Sequence, residues 1–277
     1  FKIYKAINSI NDCAQLQQDL DRVMDWSKRN KLSFNVDKCV VVKYSRKHKI
    51  FDYKYKLNGS ELTITHSFKD LGVIFDEYLT FGNHITHIVN KSLKMLGFIL
   101  RNSWSFTNIN TYTNLYNVYV RSHLEYAAVI WSPYYKTHID LIEKVQKKFL
   151  RFLYLRKHGI YPTYYPTYVP SSSLRNEFGF IELEKRRTLA LSLFVHKLVH
   201  NLIDSPNFLQ KLKFYVPQYS RRHVPLFVTT RARTNYLINS PLHKISHTFN
   251  KLSEIDIFST SLPKLKIKIK DILRQQL

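Results

Sequence analysis

At Asp76 the apolar residues of this chain change their spacing, and that change limits the folds open to it. Upstream, residues 53–57 and 61–65 alternate apolar with polar side chains on either side of Asn58-Gly59, the pair best suited to a two-residue type I′ hairpin turn. Downstream the period is helical. Ile85, Ile88, Val89, Leu93, Leu96 and Leu100 form one stripe. Tyr112, Leu115, Tyr116, Tyr119, Val120 and Leu124 form a second behind a Thr107 or Asn108 cap, and Ile139, Ile142, Val145, Phe149, Phe152 and Leu153 a third. Thr137 and Asp140 have the spacing of a capping box for that third helix. A chain that buries a two-residue period first and helical stripes afterwards is α+β, mostly α, with its short strands antiparallel.

The upstream part also holds one helix. Ser9 or Asn11 can cap it, Cys13, Leu16, Leu20, Val23 and Met24 share one face, and Lys28, Arg29 and Lys31 close it with cations at the negative end of its dipole. Residues 1–6, 39–44 and 71–75 read as further short strands. Downstream, residues 159–173 carry Pro162, Pro166 and Pro170, which bar a helix and set the main boundary. Residues 182–202 read as another helix with Leu189, Leu193, Leu198 and Leu202 in its core. The remainder is basic, with Arg221, Arg222, Arg231 and Arg233. After Pro263, Leu265, Ile267 and Ile269 alternate with lysines at a strand period, although Ile272 and Leu273 allow a short helix. Three domains follow: 1–76, 77–158 and 159–277.

Charge narrows the function. Forty-three Lys and Arg against 20 Asp and Glu leave +23, an excess that calls for a polyanionic partner, nucleic acid first among them, or serves solubility through repulsion. No run of about 18 apolar residues is present, so a spanning helix is not expected and a membrane partner is disfavoured. Two cysteines, Cys13 and Cys39, build neither a disulfide framework nor a thiolate zinc site, and the expected setting is intracellular, cytoplasm or nucleus, not secreted. His84 with His87 and His196 with His200 have helical spacing, but no glutamate follows His196 and no metal is expected there. No glycine-rich phosphate loop or hydrolase nucleophile motif occurs.

The order of motifs resembles the later palm motifs of reverse transcriptases from non-LTR, LINE-type retrotransposons of the jockey kind. The residues that carry it are the helix ending in Trp26, then Leu32-Ser33-Phe34-Asn35-Val36-Asp37-Lys38-Cys39, the Asn58-Gly59 hairpin, and Phe68-Lys69-Asp70-Leu71-Gly72-Val73-Ile74-Phe75-Asp76. Leu79, Phe81 and His84-Ile85 before a basic helix, and Glu125-Tyr126-Ala127 through Trp131-Ser132-Pro133, continue the likeness. It covers residues 1–155 by ordered motifs and the basic tail more loosely. Each motif alone is weak; their succession is specific.

The resemblance implies a partial palm, a helical thumb and a basic helical extension. It places residues 1–5 just after the Asp-Asp hairpin of the polymerase site, so the carboxylates that hold two Mg²⁺ ions around an incoming triphosphate are expected upstream of Phe1. If the likeness extends to the fold, residues 1–6 share a sheet with residues 40–42 and 71–74. Lys38 matches the lysine near the pyrophosphate, where a cation or proton offsets developing charge. Leu71, Gly72 and Val73 match the junction that meets the primer's 3′ end. Lys91, Lys94, Arg101, Lys144, Lys147, Lys148 and Arg151 lie off the apolar stripes and suit a phosphate backbone, whereas Tyr126 and Trp131 read as packing residues. Taken singly, Lys38 and the other lysines are ordinary solvated charges. The implied parent is an RNA-directed DNA polymerase using Mg²⁺, an RNA template and a DNA primer, with this chain inactive alone and no metal expected on it. The alternative is a non-enzymatic basic helical protein that binds nucleic acid, or a scaffold charged only for solubility.

Overall fold

Ser9 starts the first helix as its sequence context dictates. Its Oγ accepts from the Asp12 N–H at 3.3 Å and the Asp12 carboxylate accepts from the Ser9 N–H at 2.8 Å, a reciprocal capping box. Hydrogen bonds from the Asn8 N–H, then from Ser9, hold the Asp12 carboxyl below its ordinary range. Helix α1 (Ile10–Arg29) ends on Lys28 and Arg29 with Asn30 as its C-cap. In this computed structural model the described residues are 1–47, 51–162, 168–219, 224–252 and 255–275. They gather into two units, Phe1–His84 and Ile85–Leu277.

The first unit holds α1 and six short strands: β1 (Val40–Val41), β2 (Lys56–Leu57), β3 (Ser60–Glu61), β4 (Thr63–Ile64), β5 (Ser67–Asp70) and β6 (Val73–Asp76). Asn58 and Gly59 take φ of 52° and 81°, which gives the expected turn between β2 and β3. The Gln17 amide on α1 accepts from the Lys56 N–H and donates to the Lys56 carbonyl, both at 2.9 Å, so a side chain supplies the ladder that β2 lacks on its outer edge. Cys13, Tyr55 and Leu57 are buried, and burial with the Cys13 thiol beside it pushes the Tyr55 phenol well above its usual range.

Three strand expectations are corrected here. Residues 1–6 form no strand among the described residues, and Phe1 and Tyr4 are almost fully exposed. Phe1 instead meets the rings of Trp26 and Phe34 at 6.2 and 6.1 Å, and Lys2 pairs with Asp70. The common sheet is therefore not formed: β1 pairs in parallel with β4, β2 with β3, and β5 with β6, as three separate two-stranded pairs. A strand is defined by a partner's hydrogen bonds, and the alternation in residues 1–6 supplies a face without a ladder. Of residues 39–44 only β1 is strand, and Leu71 belongs to a turn.

The second unit is helical. Helix α2 (Gly82–Asn102) buries Ile85, Ile88, Val89, Leu96 and Ile99. Helix α3 (Ile109–Leu115) is capped by Asn108, runs into a π-helical turn over Tyr116–Arg121, and continues as α4 (Ser122–Glu125) and α5 (Ala128–Trp131). Helix α6 (Lys136–His158) buries its whole expected stripe, including Ile142, Val145, Phe149 and Leu153. Its N-cap is Tyr135, so the expected Thr137 box is not used; Asp140 pairs with Lys136 at 3.3 Å instead. Tyr116 and Phe149 stack face to face at 4.1 Å, with Phe180 against both edges.

Beyond the proline-rich stretch, whose residues 163–167 lie outside the described residues, come α7 (Ser171–Phe178), α8 (Leu183–Val199) and α9 (Pro206–Leu209). They are followed by α10 (Asn235–Ile238), α11 (Pro241–Lys251) and α12 (Leu262–Gln275). Helix α8 ends before Leu202, which is exposed and not part of the core. The lysine–isoleucine alternation of residues 264–270 is helical, not a strand. Leu265, Ile269 and Leu273 stand four apart and pack on Leu189, Leu252 and Ile255, while Ile267 faces outward. Leu191, Val195, Leu212, Phe227, Ile245, Phe249 and Ile257 make the other C-terminal cluster. Arg221 and Arg222 lie outside the described residues.

Candidate nucleic-acid interface

Lys91, Lys94 and Arg101 project from one exposed side of α2, opposite its buried stripe. Their spacing of three and seven residues turns them within about 60–80° of one another around the helix axis. Arg101 folds back along its own helix, and its Nη1 lies 3.2 Å from where a Cβ on Gly97 would be, so the absent side chain leaves the guanidinium room to lie flat. Burial, then the nearby Lys91 ammonium, hold the His123 imidazole below its ordinary value. On α6, Lys144, Lys147, Lys148 and Arg151 follow at three, four and seven residues and share a face.

None of these seven cations pairs with a carboxylate among the described residues. The ion pairs of this unit use others: Arg121 and Arg186 on Glu125, Lys136 on Asp140, Lys157 and His158 on Glu177, and Arg175 on Glu182. An exposed cation that no carboxylate neutralises can take the place of a counterion condensed on a nucleic-acid phosphate.

Other expected site residues fall elsewhere. Lys38 is exposed at the end of a 3₁₀ turn (Val36–Lys38), whose Asn35 Oδ1 accepts from its N–H at 3.2 Å. Leu71 and Gly72 take φ of 44° and 88° and form the tip of the β5–β6 hairpin, with Leu71 81% exposed. Val73 is 2% exposed, so its side chain anchors the hairpin and is not presented outward. Trp131 is buried, and its Nε1 donates to the Tyr126 carbonyl at 2.8 Å; the Tyr126 ring, expected to pack, is exposed.

Asp70 and Asp76, the carboxylates nearest the hairpin tip in sequence, are engaged by protein groups. Asp70 is taken by Lys2, and Asp76 accepts from the N–H groups of Tyr78, Thr80 and Phe81 at 3.1, 3.0 and 2.6 Å, fixing a loop in which Leu79 and Phe81 have positive φ. Among the described residues no three His, Cys, Asp or Glu side chains gather as a metal site. His196 and His200 stack at 4.1 Å, each with Nε2 on a backbone carbonyl, Thr260 at 2.8 Å and Ile257 at 3.0 Å. No described helix is long and apolar enough to cross a membrane.

Two features went unread in the sequence. One is a polar layer inside the helical unit. Arg186 grips Glu125 with two nitrogens, Nη2 to Oε2 at 3.0 Å, and Glu143 accepts from the Glu184 N–H at 3.0 Å at the start of α8. Arg187, 3% exposed, has no hydrogen-bond partner among the described residues on any of its three side-chain nitrogens, and Lys244 Nζ donates to the Ser132 carbonyl at 2.7 Å. Burial, then the Arg187 charge, bring Lys244 down to about 8. The other is a cluster around Trp104 and Arg156 beyond the end of α2.

Helices α2 and α6 each carry cations with no carboxylate partner among the described residues, and comparison with known proteins shows what the chain is related to. The chain is related to the RNA-directed DNA polymerases of jockey-type non-LTR mobile elements. It is 34% identical over 142 residues to the RNA-directed DNA polymerase from mobile element jockey of Drosophila funebris, a match covering 49% of this chain and 15% of that protein. The Drosophila melanogaster polymerase of the same name is 27% identical over 141 residues, with the same shares of 49% and 15%. An uncharacterized protein of Caenorhabditis elegans is 33% identical over 96 residues, 35% of this chain and 48% of that one. The match thus spans about a seventh of the jockey polymerases and about half of the nematode protein. No protein-family model matches the chain. No solved structure matches it significantly.

Proposed function

We propose that this chain is the nucleic-acid-gripping part of an RNA-directed DNA polymerase of the jockey type, whose parent enzyme copies element RNA into DNA with Mg²⁺. The carrying observation is the sequence identity with jockey polymerases over half the chain. On this reading residues 1–76 descend from the later palm motifs, 77–158 are the thumb, and 159–277 a basic extension. The relationship rests on sequence, since the shared palm sheet does not form.

The unpaired cations of α2 and α6 support a thumb that holds template and primer by their phosphates without reading bases. Leu71 and Gly72, at an exposed hairpin tip, suit contact with a primer end, and Val73 anchors that tip. Lys38 is exposed and open to a polyphosphate, but no metal-holding carboxylate cluster stands among the described residues to give it chemistry. The chain alone therefore binds and does not polymerise. Primer extension with the purified chain, an RNA template, a DNA primer, deoxynucleotides and Mg²⁺ gives no product on this reading. Template-directed synthesis contradicts it.

The second reading, a non-enzymatic basic nucleic-acid binder, is favoured by the same cations and the same lack of clustered carboxylates. The two part at reconstitution: a polymerase part restores extension when joined to jockey-type fingers and catalytic palm, and an independent binder does not.

A further inference from the structure

Past the last turn of α2 the chain makes a tight corner that is fastened from two other helices. Phe106 N–H donates to the Ser103 carbonyl at 3.0 Å, and the Tyr112 hydroxyl, from α3, donates to the carbonyls of Ser103 at 2.5 Å and Phe106 at 3.0 Å. Arg156, from α6, donates through Nη2 to the carbonyls of Trp104 at 3.0 Å and Phe106 at 2.6 Å. A corner held so firmly has no packing need for an indole, yet Trp104 stands on it 61% exposed. The Arg156 guanidinium carbon lies 4.7 Å from the centre of its ring and makes no carboxylate pair among the described residues. The indole thus lies against a cation and has most of its surface open to solvent.

The cationic side of α2 ends at Arg101, three residues before Trp104. Lys91, Lys94, Phe98 and Arg101, at spacings of three, four and three, share one side of the helix, and Phe98 is 58% exposed among the three cations. From Lys91 to Arg101 the helix rises about 15 Å, the reach of two to three nucleotides. Cations that follow a backbone, interleaved with exposed aromatic rings, are the chemistry of single-strand binding, in which phosphates meet cations and bases stack on rings. Inside a duplex no base face is free for Trp104, and a blunt end offers only the outer face of its last pair; an unpaired base has two.

We infer that Trp104, braced by Arg156, is a stacking platform for an unpaired base, so that the cationic side of α2 guides a single-stranded extension of the bound nucleic acid onto the corner at residues 103–106. This rests on the proposed nucleic-acid grip and adds to it a preference for an overhang. Trp104 ranks as a binding residue and Arg156 as the residue that positions it.

The test uses the full chain in a Trp26→Phe background. Trp131 is fully buried, so Trp104 becomes the exposed tryptophan that reports. Three probes are compared by anisotropy and tryptophan quenching: a blunt RNA–DNA hybrid, the same hybrid with a five-nucleotide RNA extension, and one with a five-nucleotide DNA extension. The expected result is binding of at least one extended hybrid on the order of tenfold tighter than the blunt one, with fluorescence quenched and protected from acrylamide. Which extension binds tighter assigns the strand. Trp104→Ala removes the preference for the extension, and Trp104→Phe retains most of it. Equal affinity for blunt and extended hybrids, or a preference that survives Trp104→Ala, overturns the inference while leaving the grip intact. Failure to bind any of the three overturns both.

Discussion

Lys244→Met reports on the polar layer inside the helical unit. Lys244 is largely buried beside Arg187, and burial with that second cation lowers it to about 8 from an ordinary 10.5. A cation whose folded pKa lies below its unfolded one binds more protons when unfolded across the interval between the two values. Stability therefore rises with pH from about 8 towards 10.5, and below 8 the cost of the buried charge is fully present. Between neutral pH and pH 10 the gain amounts to roughly 2–3 kcal/mol at about 1.4 kcal/mol per unit. Tyr116 opposes it above its ordinary value of 10, because burial raises that phenol in the folded state and the unfolded chain ionises first. The difference between wild type and variant removes that shared contribution. Urea unfolding from pH 6.5 to 10 is expected to show Lys244→Met more stable near neutrality, less the roughly 1 kcal/mol lost with the bond to the Ser132 carbonyl. Its advantage shrinks steadily above pH 8. A difference that stays flat across that range refutes the account of the buried lysine.

Three other outcomes follow from named contacts. The triple variant Lys91→Gln, Lys94→Gln, Arg101→Gln is expected to keep its fold, since these exposed cations leave no orphaned carboxylate, and to lower the salt exponent of hybrid binding by about 2–3; an unchanged exponent removes α2 from the interface. Ile269→Lys buries a charge in the cluster formed with Leu189 and Leu265 and should cost about 3 kcal/mol or more in urea unfolding, whereas Ile267→Lys on the exposed side stays within about 0.5 kcal/mol; equal losses would restore the strand reading. Gln17→Ala removes both bonds to Lys56 and should cost about 1 kcal/mol by the same assay, with no loss if water replaces the amide fully.

The sequence was most legible where one period and one local signal agree. The Ser9 cap, the Asn58-Gly59 turn, and the buried stripes of α2 and α6 needed nothing distant to specify them. It misled where two periods coincide. Leu265, Ile267 and Ile269 alternate like a strand, but Leu265, Ile269 and Leu273 also stand four apart, and packing against α8 selects that set. In the second stripe Tyr112, Tyr116, Val120 and Leu124 are buried at steps of four, a spacing that drifts around an α-helix and that the π-helical turn at Tyr116–Arg121 brings back into line; Tyr119, expected inside, is turned out. Residues 1–6 show the opposite limit, since alternation alone creates no strand without a neighbour to pair with.

Of the site, the cations were legible because charge off an apolar stripe must face water. Their lack of carboxylate partners was not, because the pairs Arg186–Glu125 and Lys157–Glu177 form only through tertiary contacts. Trp104 and Arg156 stand 52 residues apart, and only the fold joins them.

The proposed grip on nucleic acid acts through phosphates. The most direct measurement is the affinity of the full chain for an RNA–DNA hybrid as salt rises from about 50 to 300 mM. With seven unpaired cations and roughly 0.7–0.9 counterions released per phosphate contact, log affinity should fall against log salt with a slope of about −5 to −6. No binding at the lowest salt, or a slope near zero, contradicts it.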